Sequence, residues 1–253
     1  MGIKVRVSSV CVIFGPLGEC RSPPEGTRLL APRETPTGAV LEVVCLTLGP
    51  VQTNTYLVAD TGSGGMAAVI DPAWDGAVIH DELSRRGWSL AAIWLTHAHF
   101  DHFGGVADLV RLSAGPPVVA LHPLDQPLWR FSGGAGFFGI PAFDPGPEPG
   151  VDLAHGMQLQ LGSRTFEVRH APGHTPGHVM FYSAADRLLF AGDVIFAEGV
   201  GRTDLPGGSW DVLMRSIEAQ VLSLPDEVTI YSGHGPATTI GHERRHNPFL
   251  HMA

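Results

Sequence analysis

The chain has 253 residues, 44% of them hydrophobic and 16% charged, and a formal net charge of −9. That length and apolar content suit one globular domain with a sizeable core. The acidic balance excludes the basic stripe of a nucleic-acid surface, and no apolar run reaches the length of a membrane span, so neither partner is expected.

Residues 1–38 read as an N-terminal extension of unknown role. A short apolar strand leads into a Pro-, Arg-, Glu- and Gly-rich stretch over residues 21–38, and the segment is either an edge strand or a poorly ordered extension. The apolar patch near the start is weakly signal-like, but Glu19 before Cys20 does not fit a small-residue cleavage site. Cys11, Cys20 and Cys45 are an odd number outside any ligand-spaced motif, which predicts a reducing, cytoplasmic setting. A single domain is expected over residues 39–253. Strands are predicted at residues 40–48, 55–59 and 67–71, with a Gly-rich hairpin at 61–65. A helix over residues 75–87 places Val78, Ile79 and Leu83 on one face.

An apolar run over residues 90–95 follows, then a helix over residues 106–113 and a short strand over 118–121 ending at His122. Residues 126–150 are rich in Gly, Pro and Phe and too long for a plain connection, which predicts a lid or a substrate-facing loop. The second half repeats the plan: strands between residues 158 and 196, a helix over 210–224, another strand, and a last helix over 239–246. This alternation predicts an α/β protein.

The densest chemical signal is Thr96-His97-Ala98-His99-Phe100-Asp101-His102, three histidines and a carboxylate within six positions. Imidazole and carboxylate together suit zinc and related first-row divalent metals. A buried strand that stops at a tight loop can aim several such side chains at one point. Three more β-prone runs stop at a small residue beside a ligand-type one. They lead into Pro172-Gly173-His174-Thr175-Pro176-Gly177-His178, into Gly192-Asp193, and into Gly233-His234-Gly235. Glycine there allows the backbone turn that re-aims the next side chain. The pattern predicts metal-activated water outside the carboxyl ends of strands.

In this order, over about residues 40–250, the motifs resemble those of the metallo-β-lactamase-fold hydrolases. The resemblance implies a four-layer αββα sandwich, two β-rich halves with outer helices. It also implies two divalent metal ions, zinc first and iron as the alternative. Carried over residue by residue, His97, His99 and His174 hold one metal, Asp101, His102 and His234 the second, and Asp193 bridges them. His178 is left as a structural or supporting residue. Asp101 and Asp193 are then the catalytic carboxylates. Two such ions about 3.5–4 Å apart share a hydroxide that attacks an acyl carbonyl, so no Ser or Cys nucleophile is required. Asp71-Pro72 reads equally as a turn or as a carboxylate that orients a ligand histidine.

Gly201-Arg202-Thr203-Asp204-Leu205-Pro206-Gly207-Gly208-Ser209 and the ending after Gly233 look like the short glyoxalase II-like (hydroxyacylglutathione hydrolase-like) branch. That implies a small-molecule thioester of the S-lactoylglutathione type as substrate. Arg202, a candidate substrate residue with Arg244, and Asp204 are either an ion pair that holds the loop beside the metals or a surface turn. Fewer than twenty residues follow His234, so the helical C-terminal domain of full-length glyoxalase II is not expected. Arg244 and Arg245 remain as groups for a glutathione carboxylate, unless they are solvated helix charges. Two readings stay open beside this one: a mononuclear iron persulfide dioxygenase and a lactone or ester hydrolase of the same fold. Asp193, where metallo-β-lactamases proper usually carry Cys, points away from drug hydrolysis.

Overall fold

A computed structural model describes residues 5–11, by their backbone, and residues 41–251. The stretch predicted over residues 21–38, with Cys20, lies outside the described residues. Strand β1 (Val5–Cys11) runs parallel to β2 (Leu41–Leu48), with Val5 opposite Leu41. Strands β2, β3 (Thr53–Asp60) and β4 (Met66–Ile70) form an antiparallel meander. The Gly-rich hairpin closes on a short turn at Thr61–Ser63, where the Asp60 carboxylate accepts from the Gly62 N–H.

Helix α1 (Gly76–Arg85) returns the chain to β5 (Ser89–Trp94), parallel to β4. Its apolar face buries Ile79 and Leu83, an i, i+4 pair. Helices α2 (Phe100–Phe103) and α3 (Val106–Leu112) lead to β6 (Val118–Leu121). The segment predicted as irregular contains helix α4 (Gln126–Arg130) and a 3-10 stretch over Ser132–Phe138 before β7 (Val151–Asp152). A five-residue helix is too short to show a helical period, which is why the sequence hides it. Strands β1 to β7 make one sheet in chain order.

The second sheet is built from β8 (Gln158–Leu161), β9 (Arg164–His170), β10 (Val179–Ser183) and β11 (Leu188–Gly192), each antiparallel to the next. A small hairpin of β12 (Ile195–Phe196) and β13 (Gly199–Val200) follows. Helix α5 (Trp210–Ser216) continues as a π-helical turn over Ile217–Val221. Strand β14 (Thr229–Ser232) lies parallel to β11, and β15 (Thr238–Thr239) and helix α6 (Ile240–His246) complete the described fold. The sheet order is β15-β14-β11-β10-β9-β8.

Three apolar layers fix the architecture. Ile79, Leu83, Val106 and Leu109 of the first helices pack on Val44, Leu57, Val69 and Ile93 of the first sheet. Val43, Val58, Ile70 and Trp94 meet Phe166, Phe181, Phe190 and Tyr231 between the sheets. Leu213, Ile217, Val221 and Ile240 cover Met180, Leu189 and Ile230 on the far face. Helix, sheet, sheet and helix therefore stack as the four-layer αββα sandwich. Strands β10 and β11 lie inside two of these layers at once, so every one of their residues is buried. Fully burying each large side chain contributes about 1.5–3 kcal/mol. That is the rigidity on which loops at the sheet ends are set.

Candidate metal centre

Every sequence-predicted ligand lies just past the carboxyl end of a strand. β5 runs out into the loop of His97 and His99 and then into the short helix α2 with Asp101 and His102, and β9 into the loop of His174. Asp193 follows β11 directly, and His234 comes two residues after β14. Backbone bonds join the ends of the two sheets: Val179 N–H donates to Thr96 O at 2.8 Å and Asn54 N–H to Gly233 O at 2.7 Å. The last position of β11 needs Gly192. Its φ is +49°, and a Cβ there would sit 2.7 Å from the Thr96 Cβ and 2.8 Å from the His178 ring.

The structure gathers these side chains into two groups. Ring nitrogens of His97, His99 and His174 converge, with His97 Nε2 3.1 Å and His174 Nε2 2.8 Å from His99 Nδ1. The His174 tautomer follows from its other side. Nδ1 donates to the Arg202 carbonyl at 2.7 Å, because a carbonyl only accepts, so Nε2 presents a lone pair to the group. Asp101, His102 and His234 form the other group, with Asp101 Oδ2 3.4 Å from His102 Nε2 and 3.3 Å from His234 Nε2. Asp193 stands between the two. Its Oδ1 is 3.5 Å from His102, and its Oδ2 is 3.6 Å from His174 and 3.5 Å from His234.

Two observations show that these groups fit a cation. His102 Nε2 and Asp193 Oδ1 are buried and have no hydrogen-bond partner, an arrangement that costs free energy unless something positive lies between them. Protonation equilibria say the same. Burial lowers the His102 pKa, but Asp101, Asp193 and Asp71 outweigh it and hold the ring well above its usual value. Burial also opposes the charge on Asp101, yet His102 and His234 bring it down to about 2. Around His97, His99 and His174, burial and mutual repulsion push the imidazoles down, His99 to about 3. They are neutral donors, the state in which imidazole ligates a metal.

The supporting residues divide into those foreseen and those not. Asp71 sits at φ +49° just past β4 and accepts from His102 Nδ1 at 2.9 Å, Thr96 N–H at 2.8 Å and Thr96 Oγ1 at 2.7 Å. Of the two readings of this position, the structure favours the carboxylate that orients a histidine. That carboxylate is committed to those donors, although Asp71, His97 and His102 also lie close enough to form a triplet. His178 accepts from the Asp193 N–H at 3.0 Å and stacks on His97, a supporting place outside both groups. Arg202 and Asp204 form a two-bond ion pair at 2.7 and 2.8 Å on the surface beside His174. Arg244 is not brought to the centre: it donates to Asp226 and to the carbonyls of Leu222 and Leu224. Arg245 faces Asp226 as well.

Sequence reasoning missed two sets. The start of β3 supplies Thr53, which donates to Asp101 at 2.8 Å, Asn54, which donates to Ser232 O and Gly235 O, and Tyr56, which donates to Ser232 O at 2.6 Å. These bonds clamp the loop of His234 to the loop of Asp101. A run of polar residues opening an apolar strand was the available signal. Asp125, fully buried, accepts from Ala98 N–H, Thr175 Oγ1 and Gly177 N–H, and so ties the two histidine loops together. A lone Asp before a short helix gives no comparable signal.

The family profile described as metallo-beta-lactamase superfamily matches residues 48–234. The chain belongs to that superfamily. Among curated relatives, the hydroxyacylglutathione hydrolase GloC of Haemophilus influenzae is 36% identical over 200 residues, 79% of this chain and 93% of that one. Among solved structures, the BLEG-1 B3 metallo-beta-lactamase superposes with a TM-score of 0.74 at 37% identity, covering 82% of this chain and 98% of that chain. TTHA1623 in a di-iron-bound form gives 0.72 at 44% identity, covering 81% and 98%. The superfamily brings divalent metal binding through His and Asp with it. No helix among the described residues is long and apolar enough to cross a membrane.

Proposed function

We propose that this superfamily hydrolase is a binuclear thioesterase of the glyoxalase II-like type, acting on a small-molecule thioester in the cytoplasm. The observation that carries this reading is Asp193, whose carboxylate faces His102 on one side and His174 and His234 on the other. His97, His99 and His174 would hold one ion, Asp101, His102 and His234 the other, with Asp193 shared. Similarity to GloC supports the choice of thioester over other acyl compounds.

When bound, a pair of divalent ions supplies an activated water and polarises a carbonyl. The chain's own residues do the rest. The Arg202 carbonyl and the Asp71 carboxylate keep the Nδ1 protons of His174 and His102, so both rings turn Nε2 inward. His102, His234 and Thr53 hold the Asp101 carboxylate ionised. In the reaction, the oxygen of water bonds to the acyl carbon and the carbon–sulfur bond breaks. Sulfur leaves with the electron pair as a thiolate, and the products are a carboxylate, the thiolate and two protons. A thiolate leaves without being protonated, so the reaction calls for no general acid at sulfur.

The test is metal content of protein purified without added metal, paired with S-lactoylglutathione hydrolysis. Near two metals per chain with thioester cleavage supports the proposal. Near one iron per chain, with oxygen uptake on glutathione persulfide and no thioester cleavage, moves the assignment to the dioxygenase. Cleavage of a β-lactam or lactone in preference to any thioester moves it to those hydrolases.

A further inference from the structure

Beside the metal centre lies a cavity of about 360 Å³ that shares His99 with it. Its walls are apolar and include Leu124, Leu128, Phe131, Phe137, Phe138 and Pro206, and no Lys or Arg lines it. The single carboxylate in the lining is Asp125, already occupied by its three donors. Phe131 is 61% exposed, Phe137 64% and Leu124 56%. Clustered, exposed apolar side chains at a concave site mark a surface that takes an apolar partner or ligand.

These walls are fixed to the metal loop. Trp129 of α4 is buried and stacks on Phe103 at 4.4 Å. Ser132, Gly133 and Gly134 then take φ values of +50°, +61° and +75°, which reverse the chain and present Phe131 and Phe137 from either side of the turn. Gly133 lies against the backbone of Phe100, with no room for a Cβ. The Phe138 ring packs on Phe100 at 5.3 Å. The residue next to His99 thus sets both the ligand loop and the cavity wall.

A glutathione thioester has one uncharged half, the acyl group, and one half carrying carboxylates and an ammonium. Burying those charges in a cavity without a cation is costly, whereas burying methylenes or a ring is favourable. We propose that this cavity is the acyl pocket, and that the preferred substrates are thioesters of apolar, medium-sized acyl groups rather than the small polar lactoyl group. The inference rests on the thioester reading above. Leu124, Phe131 and Phe137 are its specificity-determining residues.

The test is kcat/KM of the metal-loaded enzyme for S-lactoyl-, S-butyryl-, S-hexanoyl- and S-phenylacetylglutathione. The value should rise roughly fourfold per added methylene until the pocket is filled, with hexanoyl and phenylacetyl above lactoyl. Phe131→Ser and Phe137→Ser, both at exposed positions, should lower the hexanoyl-to-lactoyl ratio. A second readout needs no turnover: calorimetry on the metal-free protein should show S-hexylglutathione binding at least about tenfold tighter than S-methylglutathione. Thioester cleavage with no preference for the longer acyl groups, or equal binding of the two thioethers, overturns the pocket and leaves the thioesterase standing. Failure of the two-metal enzyme to cleave any thioester overturns both.

Discussion

The two halves of the metal centre are built on different physics. His97, His99 and His174 are three buried imidazoles whose pKa values are pushed down. They offer lone pairs and no negative charge of their own. Asp101, His102 and His234 combine a carboxylate with rings whose pKa values are pushed up, and Asp71 adds a second carboxylate behind His102. The first half relies on shape, three nitrogens held in place by loops that are themselves pinned. The second relies on charge, a buried negative site that attracts a cation or, without one, a proton. Asp193 is the group common to both, so it carries the negative charge that the first half lacks.

The largest effect is therefore expected at the shared carboxylate. Asp193→Ala should lose the two-metal state and most of the hydrolysis, by more than the roughly 10–100-fold typical of changes behind a ligand. Metal analysis after dialysis, together with activity, checks this, and two tightly held metals in the variant would contradict the bridging role. A smaller and one-sided effect is expected from Asp71→Asn, which weakens the acceptor for the His102 Nδ1 proton. Affinity for one of the two ions should fall about 10–100-fold while the other stays bound. Stepwise chelator titration separates the two affinities, and an equal loss at both would erase the distinction between the halves.

Acid and base should expose the same contrast in the metal-free protein. A free imidazole titrates near ~6.5, and burial beside His174 lowers His99 to about 3. Its contribution to stability is then complete above pH ~6.5 and lost as the pH falls toward that lower value. His234 runs the other way. Burial lowers its pKa, but hydrogen bonds to Asp101 and Asp193 prevail and raise it to about 9. Its contribution is complete below pH ~6.5 and lost as the pH rises through the folded value. Thermal midpoints measured across this range should show His99→Asn flattening the acid limb and His234→Asn the alkaline limb. If either variant flattened both limbs, the two groups would be one electrostatic unit.

The contrast also marks what the sequence could and could not disclose. The ligands were legible because each follows a β-prone run, from one residue past it (Asp193) to eight (His102), in a residue type that rarely clusters by chance. The four layers were legible only through the family resemblance, since alternation by itself gives α/β. The pinning was not legible. Asp125 acts on Ala98, 27 residues before it, and on Thr175, 50 residues after it, and nothing local distinguishes it from a turn residue. Thr53 and Asn54 fall before the predicted start of their strand at residue 55, where polar side chains read as a connection. Asn54 is buried under the strand end and loop of Ser232 and Gly235, and Thr53 on the opposite face under the Asp101 segment, a fact of tertiary structure. Residues 126–138 escaped for a related reason: left-handed turns at Ser132 and Gly133 replace periodicity with local geometry.

The smallest expected effect tests whether the first half is held by its backbone. The Arg202 side chain is spent on Asp204 at the surface, while its carbonyl accepts from His174 Nδ1. Gly201 just before it packs against the Asp193 carbonyl, where a Cβ would not fit, so this stretch of main chain is fixed without the guanidinium. Arg202→Ala removes an exposed ion pair and leaves the carbonyl in place. Stability should change by less than about 1 kcal/mol, and the metal content should be that of the parent. A kcat/KM change confined to KM would show the guanidinium touching substrate. Loss of metal would mean instead that the ion pair positions the carbonyl, and that the first half depends on charge as the second does.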